Sequence, residues 1–542
     1  MTKRLIAIFL VLALMVPAVS MTSAQGDDEQ VLYVGLDVGP GGYNNGMPYN
    51  YGAGHTMHIK MYSPLFVWNE DSTDIVPFIV ESYESNDDFT VWTFKLREDV
   101  YFSDGEQLTA NDVKFTADFM TSSDINLENF NHINEAFGQI EGFDAHRNGE
   151  AEELTGVQVI DDFTFQYTLS TSNPRIYGRM YGTYIFPEHA IDFAPADYQT
   201  IDWWYNSDKQ VGSGPFSVAD YKRDEYLELV PNEYYFLGAP KLDRLVDRYF
   251  PDETAAVLAL AAGEIDFSYV SPDVLSTLDA DTFEIYGGNS YVSIFFHINY
   301  NNSPEAWQDL LVRQAFMYAI DRQAIADVVL EGTHMVLPCL VPIESVYTDS
   351  LNDYAYDPDK AKALLAEAGV DPADLGTVDW VTHPGYANPL MKDAVQASQA
   401  YLADIGIQAE MRYLDLPTWR TTYLAEGYQM GFRGQAYAIF SPPLAALYTN
   451  AGGQGGDING WDFVATGFED VVNQALSAPT YDEYTAKLGE LCQMENEQLP
   501  WLPMWVGERY GALNTRVKDF YWYPAGGGGP YDDHAEQWYV ED

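Results

Sequence analysis

The stretch from Pro77 to Val113, PFIVESYESNDDFTVWTFKLREDVYFSDGEQLTANDV, constrains its own local structure more tightly than any other part of the chain. Trp92, Phe94 and Leu96 alternate with Thr93, Lys95 and Arg97. Successive strand side chains point to opposite faces, so this period predicts a strand buried on one face. Ser103-Asp104-Gly105 breaks the run in a turn. Thr109-Ala110-Asn111-Asp112 then has the form of a capping box. Its threonine and its acid can each satisfy an amide that has no partner inside the first helical turn. The helix it opens carries Val113, Phe115 and Phe119. Strand, turn, strand and capped helix form one α/β unit that carries no catalytic chemistry.

Comparable signals recur downstream. Tyr226 to Val230 alternates as a strand after the turn Val211-Gly212-Ser213-Gly214-Pro215-Phe216. An apolar helix follows Asp252, and Gly263 is placed to end it before a strand begins at Ile265. Tyr291 to Asn299, YVSIFFHIN, reads as a buried strand. Val312, Ala315, Phe316, Ala319 and Ile320 share one helical face. Asp321 can cap a second helix carrying Ile325, Val328 and Val329, which Gly332 ends. Asp357-Pro358 supplies an N-cap and a proline at the first helical position, and Gly369 closes that helix. Gly526 to Gly529 is expected to be a surface loop, and there is no internal repeat.

A chain of 542 residues is too long for one compact core, so two or three domains are expected. Lys3 and Arg4 precede an apolar run from Leu5 to Val16 and then small residues. This is the pattern of a secretory signal peptide over residues 1–24. No cysteine lies near the expected cleavage point, so a free periplasmic or secreted protein is expected rather than a lipoprotein. The formal charge is −55, from 82 acidic and 27 basic residues, which argues against a nucleic-acid partner. The acids are scattered rather than blocked, as on a solvated surface. Cys339 and Cys492 can pair in an oxidising compartment, or remain as buried thiols.

The order of these motifs resembles the bacterial extracellular solute-binding proteins of family 5, the oligopeptide, dipeptide and nickel receptors of ABC importers. The resemblance begins in Pro77–Val113. It continues through Val211–Phe216, Pro231-Asn232-Glu233-Tyr234-Tyr235, Pro240-Lys241-Leu242-Asp243 and Ala262-Gly263-Glu264-Ile265-Asp266. It runs on through Val312–Arg322, the helix after Asp357, and Leu402–Ile407. It implies a class II periplasmic-binding-protein fold, α/β and two-lobed, in the large variant with an extra subdomain, closing around a ligand cleft. By that analogy the first lobe is residues 25–288 plus 512–542, with the subdomain near 52–200. The second lobe is 289–511. It also implies an ABC permease as membrane partner, no cofactor, and a monomer. A receptor, not an enzyme, is expected.

The resemblance breaks at an informative place. Peptide receptors of this family carry a segment like G-W-x-x-D-Y-x-x-P, whose aspartate holds the peptide ammonium group. Here the segment is Gly434-Gln435-Ala436-Tyr437-Ala438-Ile439-Phe440-Ser441-Pro442. Gln435 replaces the tryptophan and Ala438 the aspartate, and a buried ammonium without a carboxylate is costly. The implied ligand is an oligopeptide held without that aspartate, or an oligosaccharide, as in some members of the family. With 12 Trp and 40 Tyr, ring faces for sugars are plentiful. Candidate ligand contacts are Gln435, Tyr437, Phe440, Tyr43, Tyr49, Tyr51, Trp461, Trp501 and Trp505, with Asp457 as a substitute acid. No metal is expected: His55 and His58 are spaced i,i+3 without obvious further ligands. A secreted hydrolase is the alternative of another class, although H-E-x-x-H, G-x-S-x-G and G-x-x-x-x-G-K-[ST] are all absent.

Overall fold

A computed structural model describes residues 29–37, 59–68, 75–125, 133, 136–180, 182–198, 203–275, 277–387, 389–436, 444–449, 460–520 and 534–541. The expected signal peptide and the glycine tract lie outside these residues. Among the described residues, no helix is long and apolar enough to cross a membrane.

The strand read from the Trp92 alternation is Val91–Leu96, with Trp92, Phe94 and Leu96 buried. It lies between Val80–Ser85 and Thr164–Thr168 in a four-stranded antiparallel sheet completed by Val157–Asp161. Phe94 stacks on Phe165 with centroids 5.0 Å apart, a cross-strand aromatic pair that pins the register. Gly105 adopts φ +89°, as the turn requires. Helix Ala110–Met120 starts at the capping box: the Thr109 N–H donates to Asp112 Oδ2 at 2.8 Å, and the Asn111 N–H to Thr109 Oγ1 at 3.3 Å. Asp112 Oδ1 also accepts the Glu188 N–H at 3.0 Å, so the cap fixes a distant segment as well as its own helix.

Among the described residues the main sheet has eleven strands. Its order is Gln408–Tyr413, Thr377–Thr382, Met430–Ala436, Phe283–Ile298, Trp501–Asn514, Phe267–Val270, Val31–Asp37, Arg244–Phe250, Tyr226–Pro231, Phe216–Lys222. The short strand His334–Val336 pairs with Trp501–Asn514. The expected strand Tyr291–Asn299 is the second half of the 16-residue strand Phe283–Ile298. Sequence periodicity misses its first half because those residues are mostly exposed or half-buried.

Two sets of apolar cores sit on this sheet. One surrounds Val34, Phe94, Leu245 and Phe267 and is continuous with the four-stranded sheet. The four-stranded sheet therefore shares its core with the main sheet rather than packing alone. The other set surrounds Phe296, Trp380 and Phe432, with a neighbouring cluster of Phe295, Phe463 and Trp501. Along Phe283–Ile298, Tyr286 and Tyr291 pack on the first set and Ile294 on the second. Along Trp501–Asn514, Trp505 belongs to the second set and Leu513 to the first. Pairing of these two strands shifts register between Asn289 and Ser293, and Tyr291 there has φ +52°. A non-glycine residue in that region marks local strain.

The expected helix caps are present. Asp252, Asp321 and Asp357 each accept an amide of the first turn, and Gly263, Gly332 and Gly369 have φ between +71° and +74°. The helix after Asp321 differs in type: Arg322–Ala324 is α-helical and Ile325–Val329 continues as a π-helical turn. Arg313 and Arg322, both buried, hold the backbone. Arg313 Nη1 donates to the Trp307 and Gln308 carbonyls, and Nη2 to Gln498. Arg322 donates to the carbonyls of Leu337, Pro503 and Asp353.

Cys339 and Cys492 form a disulfide between the segment following His334–Val336 and helix Tyr481–Gln498. One turn further along that helix, buried Glu495 accepts the Leu340 N–H at 3.0 and 2.9 Å and the Tyr448 hydroxyl at 2.9 Å. Burial outweighs these bonds and raises its pKa to about 8, from 4.5 when exposed. The folded state therefore binds this proton more tightly than the unfolded chain. The stability this confers is fully present below about pH 4.5 and is lost as pH rises through about 8. In Glu495→Gln that dependence is removed. The wild-type urea midpoint should fall relative to that of Glu495→Gln as pH rises from about 4.5 to about 8, and the two profiles should run parallel outside that window. Parallel profiles throughout would show that Glu495 is not the titrating group.

Candidate functional site

Strand Met430–Ala436 runs antiparallel to Phe283–Ile298, with Arg433 opposite Phe295 and Gln435 opposite Ser293. Phe432 points into the core against Phe296, centroids 4.9 Å apart. By strand alternation Gly431, Arg433 and Gln435 share the other face. Gly431 leaves room for the His297 ring, which a Cβ there would overlap. Ala436, the last described residue of this stretch, pairs with Val292, next to the strained Tyr291 where the cores change.

Arg433 is 6% exposed. Its guanidinium carbon lies 5.3 Å from the Phe295 ring centroid and 5.8 Å from that of Tyr423, and Nη2 is 3.5 Å from Gln435 Oε1. Tyr423 belongs to helix Leu416–Leu424, opened by the Asp415 carboxylate accepting the Thr418 N–H at 3.0 Å. Trp419 and Tyr423, four residues apart, share a face and stack at 5.1 Å. His383 follows strand Thr377–Thr382 and sits 4.7 Å from Trp419 and 5.0 Å from Tyr386, centroid to centroid. Gly434 lets the Tyr386 ring approach, since a Cβ there would meet its hydroxyl. Gln435, His383, Tyr386 and Trp419 are half-buried.

Burial, and then the Arg433 charge, depress the His383 pKa to about 4. The same two causes hold His297 well below its usual range. His297 Nε2 also shares a 3.0 Å hydrogen bond with the Tyr428 hydroxyl. Both imidazoles are neutral near pH 7. The wall thus combines one fixed cation, one half-buried neutral imidazole, one amide and three ring faces, which is equipment for holding a ligand.

Of the residues singled out from sequence, Gln435 lies on this wall. Trp501 and Trp505 are corrections: both are fully buried. They sit on a central strand of the sheet that is covered on both faces, so alternation exposes neither. Trp501 packs on Phe295 and His297, and Trp505 Nε1 donates to the Arg322 carbonyl at 3.0 Å. Trp461 is half-buried over Arg313 and Tyr300, with Nε1 donating to Thr466 Oγ1 at 3.1 Å. Tyr43, Tyr49, Tyr51, Tyr437, Phe440, Asp457, His55 and His58 lie outside the described residues. Among those described, no three His, Cys, Asp or Glu side chains are grouped to hold a metal. Arg433, His383, Tyr386, Trp419 and Tyr423 were not read from sequence. The Trp419/Tyr423 spacing and the place of Arg433 two residues before Gln435 were the signals available.

Two α/β lobes joined by long shared strands define a two-lobed solute receptor. Residues 74–457 match the family described as bacterial extracellular solute-binding proteins, family 5 Middle. The chain belongs to this family of solute-binding receptors. It is 30% identical over 524 residues, 93% of each chain, to a Brucella ovis protein named as an ABC transporter peptide-binding protein. It is 30% identical over 485 residues to heme-binding protein A of Haemophilus influenzae, covering 86% of this chain and 85% of that one. In structure it is similar to the oligopeptide-binding protein AppA of Bacillus subtilis in complex with a nonapeptide. That match has a TM-score of 0.74 and 21% identity, and covers 95% of this chain and 100% of that chain.

The reassignment of the tryptophans has a direct consequence. Trp501→Ala should lower stability by about 3–5 kcal/mol, as for other buried aromatic truncations. Half-buried Trp419→Ala should cost on the order of 1–2 kcal/mol. Urea unfolding of both variants measures the contrast, and equal losses would mean Trp419 is core rather than recess wall.

Proposed function

We propose that this chain is the extracytoplasmic receptor of a peptide-type ABC importer, exported by a cleaved signal peptide and acting as a periplasmic or secreted monomer. It takes an oligopeptide between two lobes and presents the closed form to the permease. The observation that carries this is the recess wall itself: a ring-lined, cation-bearing wall whose strand ends beside the bulge where the cores change. The lobes are residues 25–288 plus 512–542, with the subdomain near 52–200, and residues 289–511. The change of core along the two long strands supports that division. From the sequence, Tyr437, Phe440, Tyr43, Tyr49, Tyr51 and Asp457 are further candidate contacts. An oligosaccharide is the second reading, favoured by the Trp419, Tyr423 and Tyr386 rings.

Ligand capture in such a receptor is a population shift toward the closed form. In this reading one contact serves that form. The Arg175 guanidinium lies 5.0 Å over the Tyr484 ring, and Tyr481 packs on core residues of both sets. Arg175 lies in the subdomain, and Tyr481 and Tyr484 lie on the helix carrying Cys492.

Thermal shift against peptide and oligosaccharide sets tests the ligand class. A ligand at 100 times its Kd stabilises by about 2.7 kcal/mol. Peptides should raise the melting temperature and remain uncleaved; a shift with glycans alone would replace the peptide reading with the sugar one, and turnover would point to a hydrolase. Removing the Arg175–Tyr484 contact, worth on the order of 1 kcal/mol, should favour the open form. Ligand-free Arg175→Ala should then show a larger radius of gyration in solution X-ray scattering. An unchanged radius would show that the contact does not hold the lobes together.

A further inference from the structure

We propose that a cavity beside helix Ala110–Met120 is a second binding site, built for a small organic cation with an apolar stem. It lies apart from the wall around Arg433 and does not depend on which ligand that wall takes.

The cavity holds about 420 Å³ and, among the described residues, is lined only by the stretch between Asn111 and Pro195. That volume is in the range of small-molecule pockets. Its walls are fixed to each other. The Glu188 N–H donates to Asp112 Oδ1 at 3.0 Å and the Phe186 N–H to Thr116 Oγ1 at 2.8 Å, so the segment carrying Glu188, Ile191 and Phe193 is tied along the helix. Phe115 and Phe119, four residues apart, share one helix face, with ring centroids 5.6 Å apart. Phe193 meets Phe119 edge to face at 5.7 Å. Phe115, Ile191 and Phe193 are half-buried, so part of this apolar bed remains uncovered.

One polar group gives the site its direction. His146 is 6% exposed and lines the cavity. Thr121 Oγ1 lies 2.7 Å from the Ala117 carbonyl oxygen and 2.8 Å from His146 Nδ1. The carbonyl can only accept, so it takes the one hydroxyl proton, and Nδ1–H donates to Oγ1. In the neutral ring this leaves Nε2 as a lone-pair acceptor. Among the described residues Nε2 has no partner, and it is not sealed in the core. An acceptor beside aromatic rings takes an N–H or O–H donor carried on an apolar stem.

Charge selects the ammonium among such donors. Lys114 lines the cavity, but its Nζ is held by Asp118 and by Glu153, each at 3.0 Å. Glu152 and Glu188 are exposed lining residues with no cationic partner among the described residues. Two uncompensated carboxylates favour a cation over a neutral or anionic group of the same shape.

The test is calorimetric titration of the full-length protein with 2-phenylethylamine, its neutral counterpart 2-phenylethanol and the anion 3-phenylpropionate. The amine should saturate a single site with a Kd of about 1 mM or tighter, the scale that about nine non-hydrogen atoms supply. The alcohol should bind at least about fivefold more weakly, and the anion should not bind. The double variant Glu152→Gln/Glu188→Gln should weaken the amine by about fivefold, the combined scale of two exposed charge contacts. Ile191→Trp, which fills the cavity and leaves its charges in place, should abolish binding. Absence of saturable amine binding to the wild-type protein overturns the site. Alcohol or anion binding as tight as that of the amine overturns its selectivity for a cation. Wild-type affinity in the double variant, or in folded Ile191→Trp, places the amine elsewhere on this acidic chain and overturns the site as well. Both glutamates are exposed, so the double variant decides the matter even if Ile191→Trp does not fold.

Discussion

The antiparallel pairing of Phe283–Ile298 with Trp501–Asn514 is the interaction on which the rest of the structure depends. These strands run from Phe283 opposite Asn514 to His297 opposite Trp501. They are long enough to serve both sets of cores, so the eleven-stranded sheet is continuous while its packing is not. A bulge is the natural place for such a strand to change direction, because the extra residues break the ladder locally. Here the break falls between Asn289 and Ser293, where side chains bind a third segment: Ser293 Oγ donates to the Leu340 carbonyl at 2.6 Å and Asn289 to Pro342 at 3.4 Å. Bending at the bulge is thereby coupled to the segment that carries Cys339.

That segment shows how the second set of cores handles backbone polar groups with little regular structure. Pro338 to Pro342 belong to no helix or strand, yet the carbonyls of Pro338, Leu340 and Val341 accept hydrogen bonds from Asn496, Ser293 and Tyr347. The Leu340 amide is taken by Glu495. Buried backbone groups without partners are costly, and here long side chains supply what a ladder would. Arg313 and Arg322 do the same for carbonyls elsewhere, and desolvation lowers the pKa of Arg322 to about 10. In the first set the equivalent ties are ionic. Lys60 and Asp247 form a fully buried pair at 2.9 Å, and Arg516 holds Asp266, whose other contact is the Tyr33 amide. Removing one partner of such a pair would strand a charge, which explains why these ties occur as complete sets.

Local signals were legible in the sequence wherever a few residues decide the outcome. The Thr109 cap, the Asp252, Asp321 and Asp357 caps, and the Trp92 alternation all depend on neighbours within one turn or one strand, and all stand in the structure. The resemblance carried by those segments identified the family correctly. Long-range outcomes were not legible. Trp501 and Trp505 appeared as candidate contacts because aromatic rings serve cores and sites equally well, and only sheet order shows that their strand is interior. The disulfide is not legible because no local signal links positions 153 apart. Four of the wall residues come from segments flanking Thr377–Thr382 and from helix Leu416–Leu424, and only the parallel pairing of Thr377–Thr382 with Met430–Ala436 brings them to Arg433.

The division between what was and was not visible follows from the design of a receptor with one fold and variable cargo. Caps, turns and alternating strands keep the two lobes and their shared strands, and these are the features that mark the family. Ligand choice needs none of them. Gln435, with Arg433 two residues before it, points off one face of one strand and stands where the family's peptide receptors have tryptophan, without disturbing the ladder that carries it. The backbone of that strand pairs with Phe283–Ile298 from Met430 to Ala436, and with Thr377–Thr382 at Met430 and Gly431, so the ladder holds Arg433 and Gln435 in place from one side. Gly431 and Gly434, on opposite faces of the strand, admit the His297 and Tyr386 rings, so ring packing around it is itself set by residues without side chains.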